Sequence, residues 1–440
     1  MSRRQFFVLI IPLLAVMVAL AGLYIAGPDE AGDQVYWDPK VWRAMRLALD
    51  REFVWGVRDE KQAQEAFYIA ANRYLQHFDR HAEVVPPWLL EEQKDETQGR
   101  YAGVGFITLD ANRVGRIEAL HVNGVCPDGP ADRAGVREGD DIISVDGVSL
   151  GELTAEDGPS GALVRIRGPI DTNVRVGVRR ADETLDIEIT RGHVPHGSVF
   201  GKRMVDADAG IGYLRLGGFH AATAEDFRTR LRALIDAGAK ALVLDLRGNK
   251  GGMLDAAIGV ADALIESGII VQVQYRNGLE VHTATPETEA PDLPLAVLIN
   301  AGSASASEVL AGALQDHARG VLIGEHSYGK FAVQTMREIP SSEKQMALLK
   351  ITTALYRTPS GRYFQRHSPP GDPDPLAGLI PDLRVPQSRD DRQILASIFD
   401  AERYADWKKT PEVPFPDFQD RVLMAAIAVL KGEVVRPEIQ

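Results

Sequence analysis

Residues 295–335 read LAVLINAGSASASEVLAGALQDHARGVLIGEHSYGKFAVQT. Leu295 to Asn300 is an apolar run, the pattern of a buried strand. Ala301 to Ser307 is built almost wholly of small residues. From Glu308 the pattern turns helical, with Val309, Leu310 and Leu314 spaced for one face. Val321 to Glu325 is a second buried strand. A short loop then leads to Lys330, at the head of KFAVQT. A serine held where a strand turns into a helix sits among unpaired backbone N–H groups and at the positive end of a helix dipole. Those groups suit an oxyanion.

A serine needs a base before it attacks a carbonyl. Lysine serves only when neutral; its ordinary pKa is about 10.4, and burial lowers it by up to ~3–5 units. The neighbours Tyr328, Gly329, Phe331 and Val333 offer apolar cover and no adjacent acid. If the run is extended, Lys330 and Gln334 share one face. Gln334 would then hold the amine by its side-chain carbonyl without adding a charge. Two competing readings exist. Ser305-Ala306-Ser307-Glu308 is also an S-x-x-E capping box, with Ser303 an alternative cap. Asp316-His317 suggests Ser–His–Asp chemistry, but adjacent helical residues point to different faces.

GSASASE, then YGK, then Gln four residues after the lysine resembles the carboxyl-terminal processing proteases, the S41 serine peptidases with a Ser–Lys dyad. The resemblance implies that Ser305, the middle serine of SASAS, is the nucleophile, with Lys330 its base and Gln334 the assisting glutamine. That family usually has Gly after the lysine; this chain has Phe331. The resemblance further implies an α/β fold: a crotonase-like serine protease core, an inserted β-rich PDZ domain, and helical N- and C-terminal regions.

Upstream, Ile211 to Leu216 and Ala241 to Leu246 read as strands, with an amphipathic helix over Ala222 to Ala237 between them. Arg247-Gly248-Asn249-Lys250-Gly251-Gly252 follows, then a helix from Ala256 to Ile265. Strand, glycine turn, helix presents N–H groups to an anion. The resemblance implies an oxyanion hole made by the Gly251 and Ala306 N–H groups, with Lys250 where relatives often have Pro. No GK[ST] follows, so a P-loop is excluded.

From Gly99 short strands and turns take over. GRYAGVGFITL, Pro130-Ala131-Asp132-Arg133-Ala134-Gly135, Glu138-Gly139-Asp140 and Val145-Asp146-Gly147 together resemble a PDZ domain. Gly103, Val104, Gly105 and Phe106 are then the loop whose N–H groups converge on a terminal carboxylate, beside an exposed strand edge. Phe106 lines the pocket for the last side chain, and Arg100 adds positive charge. Strands continue at Val174–Val178 and Leu185–Ile189.

The chain has 440 residues, 45% of them hydrophobic, a net charge of −13 and one cysteine, Cys126. It is long enough for two or three domains. The acidic balance makes nucleic acid an unsuitable partner, no Cys/His spacing suits a metal, and no cofactor is expected. Arg3 and Arg4 precede an apolar run from Phe6 to Ala26, roughly the ~20 residues that span a bilayer. Read as an anchor, it places the body on the periplasmic face of the cytoplasmic membrane. The competing reading is a signal peptide cut after Ala21. Ser2-Arg3-Arg4-Gln5-Phe6-Phe7 is also compatible with a twin-arginine signal. The expected divisions are 1–30 (anchor or signal and linker), 31–98 (helical), 99–195 (PDZ), 196–388 (protease core) and 389–440 (helical). His81, in Phe78-Asp79-Arg80-His81, reads as a structural contact at a helix end. Leu348 to Leu355 and Arg362 to Phe364 read as further strands. Val422, Ala425, Ala426 and Leu430 form a stripe for core packing, with a dimer or adaptor surface as the alternative. The expected substrate is a protein or peptide with a free C-terminus. The rival reading is a non-catalytic PDZ scaffold, or a latent protease requiring an adaptor.

Overall fold

The structure is a computed structural model. It describes residues 59–108, 117–155, 159–286, 288–290, 292–341, 345–366, 377–408 and 415–433. The chain divides into two compact units, Met1–Ala70 and Ala71–Gln440. Of the first, residues 59–70 are described; they belong to the helix Glu60–Phe78. The apolar run 6–26 and the proline-rich loop 368–375 lie outside the described residues.

The second unit is built on a six-stranded sheet. Its order is Val199–Asp206, Ile211–Leu216, Ala241–Asp245, Leu295–Ile299, Val321–Gly324, Leu383–Arg384. The first pair is antiparallel and the rest are parallel. Parallel strands covered on both faces read as unbroken apolar runs, and every residue of Ala241–Asp245 and Leu295–Ile299 is buried. Leu242, Leu244, Leu295, Val297 and Ile299 pack under the helices Thr223–Asp236, Leu254–Asp262 and Ala306–Asp316. Val243, Ala296, Leu298 and Ile323 turn to the other face, where Val422, Ala426 and Val429 of the helix Arg421–Leu430 cover them. The C-terminal stripe is therefore core packing.

Because Ala241–Asp245 and Leu295–Ile299 are parallel neighbours, the 247–252 loop and the 301–305 turn leave the sheet at the same edge. Arg247 pins that edge. Its guanidinium, 1% exposed, binds Asp245 at 2.6 Å and Asp420 at 2.7 Å. Asp420 also accepts the Val422 N–H, so the same carboxylate starts the C-terminal helix.

A second, antiparallel sheet centres on Met346–Arg357. Ala332–Pro340 pairs along one edge of it; Glu83–Val85 and Ile269–Tyr275 share the other, and Gly278–Thr283 completes a hairpin. Arg362 to Phe364, expected as a strand, is irregular. Its carbonyls serve turns instead: Arg362 O takes the Thr358 N–H and Phe364 O takes the Gly378 N–H.

Between the flanking strands Arg100–Gly103 and Gly192–Pro195, which pair with each other, lies a separate β-domain. Its sheet runs Phe106–Thr108, Leu120–Val125, Asp141–Val145, Asn173–Arg180, Glu183–Thr190. The helices Pro130–Ala134 and Pro159–Ile166 accompany it, around a core of Leu120, Val122, Ile142, Val176 and Ile189. Pairing of its entry and exit strands makes it an insertion in the α/β core.

Candidate active site

The three serines of SASAS have different fates. Ser303 Oγ donates to the Leu246 carbonyl at 2.8 Å and accepts the Asn300 N–H at 3.0 Å. Ser307 Oγ donates to the Asn249 carbonyl at 2.9 Å. Both are buried ties between the two loops. Ser305, half-buried, stands at the N-terminus of the Ala306–Asp316 helix with φ 59° and ψ −118°. A non-glycine residue held there is strained, a feature that gathers at functional sites. The capping-box layout is present. Even so, the Glu308 N–H binds the Ser305 carbonyl at 2.8 Å, and among the described residues the hydroxyl makes no capping hydrogen bond. The hydroxyl is available for chemistry.

Glu308 has a larger role than capping. Its side chain is fully buried. One oxygen receives Ser327 Oγ at 2.5 Å and the Gly329 N–H at 2.6 Å. The other receives the Ser305 and Lys330 N–H groups, each at 2.8 Å. Burial pushes the Glu308 carboxyl up, against four donors that pull it down. One carboxylate thus fixes the backbone of Ser305 to that of Lys330. The Tyr356 hydroxyl sits between the carbonyls of the same two residues, 2.9 Å from that of Ser305. Burial and the Glu308 charge keep this phenol protonated, so it is a donor. At Gly329 (φ +89°) a Cβ would lie 2.8 Å from the Gly378 nitrogen; only glycine lets the chain pass here.

Lys330 is half-buried, and its amine has no ion-pair partner among the described residues. Burial and the positive charge of Lys350 hold its pKa below the ordinary value, while Glu308 and Asp79 pull the other way. The fold therefore brings two carboxylates that the flanking sequence lacks. Phe331, the departure from the family pattern, is fully buried. It packs on Tyr356 at 4.6 Å, on Phe364 at 5.8 Å and on Tyr363 at 6.1 Å between ring centroids. The bulky residue is thus absorbed into an apolar wall beside Lys330.

Gln334 is placed differently from the extended-run argument. The strand begins at Ala332, and its register breaks between Val333 and Gln334. Lys330 and Phe331 precede the strand, and the extra residue at the break, Thr353, lies on the partner strand; the alternation that would put Lys330 and Gln334 on one face therefore does not extend to the lysine. The Gln334 amide points to Ala332 O at 3.3 Å and Thr352 Oγ1 at 3.4 Å. No hydrogen bond to Lys330 is present among the described residues.

Gly251 and Ala306 do come together. At Gly251 (φ +99°) a Cβ would lie 2.8 Å from Ser305 Cβ and 2.9 Å from the Ala306 nitrogen. Among the described residues no acceptor takes the Ala306 N–H. The Gly251 N–H donates to Asn249 Oδ1 at 2.9 Å. Asn249, fully buried, is oriented by its own donation to Leu216 O at 2.9 Å. Asn249, Tyr356 and Ser327 carry no local pattern that marks them; only the distant contacts do.

His317 is excluded as the base. It ends the helix that Ser305 begins, roughly 18 Å away at 1.5 Å per residue, and its Nε2 lies 2.7 Å from the Ile269 carbonyl. Asp316 is bound to Ser360 and Arg362.

In the β-domain, the Val104 carbonyl takes the Ala131 N–H at 2.7 Å and the Gly105 carbonyl takes the Cys126 N–H at 2.8 Å. With both carbonyls turned inward, the N–H groups of this loop face away from the domain's core. Phe106 is half-buried against that core, and Phe106–Thr108 is an edge strand. Gly103 belongs to the flanking strand pair. Arg100 is held by Asp95 at 2.9 Å, so its charge is already matched.

The profile of peptidase family S41 matches residues 210–385, and that of a PDZ domain matches residues 121–180. A carboxy-terminal-processing protease of Bartonella bacilliformis is 36% identical over 327 residues, spanning 72% of this chain and 69% of its own. A carboxyl-terminal-processing protease of Picosynechococcus is 31% identical over 332 residues, 75% of each chain. Among solved structures, a photosystem II D1 C-terminal processing protease is 25% identical, covering 87% of this chain and 93% of its own with a TM-score of 0.45. The S41 core, the inserted PDZ domain and relatives aligned over most of their length show that this chain belongs to the carboxyl-terminal processing proteases of family S41 and is a serine protease.

Proposed function

We propose that this protein is an exported endopeptidase that holds the free C-terminal tail of a substrate in its PDZ domain and cleaves peptide bonds with Ser305 and Lys330. The observation that carries this reading is the Glu308 clamp. It ties a strained serine to a half-buried lysine, and among the described residues the serine hydroxyl has no hydrogen bond and the lysine no ion-pair partner.

In the proposed reaction Ser305 Oγ attacks the substrate carbonyl while neutral Lys330 takes its proton. The tetrahedral oxygen meets the Ala306 N–H. The Gly251 N–H joins it by exchanging the Asn249 amide oxygen for an anion, since hydrogen bonds to ionised acceptors are roughly twice as strong as neutral ones. The lysinium then protonates the leaving amine as the C–N bond breaks. Water, deprotonated by Lys330, releases the acyl group and restores Ser305. Gln334 would assist by turning its amide carbonyl toward Lys330, a rotation away from its present partners. Residues 6–26 would export the chain and hold it at the cytoplasmic membrane, with the body on the periplasmic side.

Tail capture gives a testable outcome. Of two otherwise identical peptides, the one with a free C-terminal carboxylate is cleaved with a kcat/KM about tenfold or more above its C-terminal amide, because hydrogen bonds to a charged group contribute about 1.5–3 kcal/mol. Steady-state kinetics on the pair checks this. Equal rates would remove carboxylate capture from the account and leave the peptidase chemistry standing.

A further inference from the structure

Three residues ahead of the PDZ domain, Asp79, Arg80 and His81, are held against the Lys330 side of the site by a closed set of hydrogen bonds. On the Met346–Arg357 strand, pairing with Glu83–Val85 ends at Lys350 and pairing with Ile269–Tyr275 begins at Ala354. The Thr352 N–H between them is taken by Asp79 Oδ2 at 2.7 Å. Asp79 Oδ1 accepts the His81 N–H at 3.0 Å. The Arg80 guanidinium binds the Arg366 carbonyl. Arg366 in turn donates its N–H to Gly329 O at 2.7 Å and its Nε to Tyr328 O at 2.9 Å. The turn is therefore tied on one side to the strand that carries Gln334's partner Thr352, and on the other to the two residues before Lys330.

His81 Nε2 is buried and has no hydrogen-bond partner among the described residues. Buried polar atoms are nearly always satisfied, so an exception needs an explanation. Lys330 is the foremost charge acting on this ring, ahead of Arg80 and Asp79, and burial with those two cations favours the neutral imidazole. Lys330 itself faces Lys350, Glu308 and Asp79, with Lys350 paired to Glu83 at 3.6 Å. When Lys330 takes the serine proton it becomes an ammonium in a half-dry site. Both Glu308 oxygens already receive two donors each. The Asp79 oxygens are turned to the Thr352 and His81 backbones.

We propose that His81 is a positioning residue for Lys330: its Nε2 accepts a hydrogen bond from the ammonium formed when the amine takes the Ser305 proton. The resting amine donates weakly, which leaves Nε2 idle; proton transfer from Ser305 Oγ to Lys330 Nζ creates the donor it lacks. This inference rests on the Ser305–Lys330 reading.

The test uses the full chain and a peptide substrate, with His81→Leu, His81→Gln and His81→Asn beside Ser305→Ala and Lys330→Ala. A glutamine amide reaches the position of Nε2; an asparagine amide reaches only that of Nδ1. His81→Leu and His81→Asn lower kcat by roughly 100-fold, the scale of a misplaced catalytic group, with KM and Tm near the parent's. Their residual activity has its acid limb moved to lower pH, because the ammonium has lost an acceptor and sheds its proton more readily. His81→Gln restores both the rate and the limb. An unmoved limb in His81→Asn, or parental kcat in His81→Leu, overturns the proposal. If His81→Leu fails to fold, the Gln and Asn pair decides alone. Activity that survives Ser305→Ala or Lys330→Ala would instead overturn the dyad on which the inference rests.

Discussion

Lys330→Ala lowers kcat/KM by about 1,000- to 10,000-fold, the upper range of what a positioned acid–base group contributes, and removes the pH dependence that the parent shows. The sign follows from the base's charge. A lysine accepts the serine proton only when neutral, so below its pKa the rate climbs about tenfold per pH unit and levels off above it. Burial and the Lys350 charge hold that pKa below 10.5, so the rise in the parent ends below that value. The measurement is kcat/KM against pH for both proteins, with circular dichroism to show that the alanine variant is folded. A parent rate that is flat with pH, or a variant that keeps the same rise, would take the base role from Lys330.

Glu308→Ala is the second large effect, and it acts on stability and rate together. Removing the carboxylate leaves the N–H groups of Ser305, Gly329 and Lys330 and the Ser327 hydroxyl without their acceptor. Breaking a buried charged network of this kind costs about 3–5 kcal/mol. The same change frees the loop carrying Lys330 from the helix start carrying Ser305, and a 1 Å error in such a pair costs roughly 100-fold in rate. Glu308 also favours the charged form of Lys330, so the acid limb of any remaining activity moves to lower pH. Chemical denaturation and a pH–rate profile read the two parts separately. Parental stability in Glu308→Ala would show that the clamp is not what joins the two residues.

The legible parts of this chain were those in which the chemistry lies close in sequence. The runs ALVLD and LAVLI are buried on both faces, and their short unbroken apolar patterns are those of doubly covered parallel strands. The small residues after Asn300 and the glycines after Arg247 marked two turns, and parallel pairing of their strands brought both to one edge. Other parts depended on long-range closure. Glu308 was visible as a cap because Ser305 is three residues away; Ser327, Gly329 and Lys330 reach it only after the chain has crossed the sheet. The expected shared face of Lys330 and Gln334 needs a strand that includes the lysine, and the strand begins only at Ala332. Arg100 is expected to add positive charge near the loop, but Asp95, which precedes the PDZ domain, matches that charge. The hairpin Ile269–Tyr275 and Gly278–Thr283 has a weak signal in the sequence. Gln272 and Gln274 dilute its apolar pattern, and its two-residue turn, Arg276-Asn277, is not the Asn-Gly or Asp-Gly pair that marks such hairpins. Arg362-Tyr363-Phe364 has strand-forming residues, yet its Arg362 and Phe364 carbonyls are taken by the Thr358 and Gly378 N–H groups.

The most direct test of the central claim is cleavage of an unfolded protein with an apolar C-terminus, followed by mass spectrometry, for the parent, Ser305→Ala and Lys330→Ala. The account predicts new internal fragments with the parent and none above background with either variant. Fragments from Ser305→Ala at the parent's rate would contradict it outright, and full activity in Lys330→Ala would assign the base to another residue.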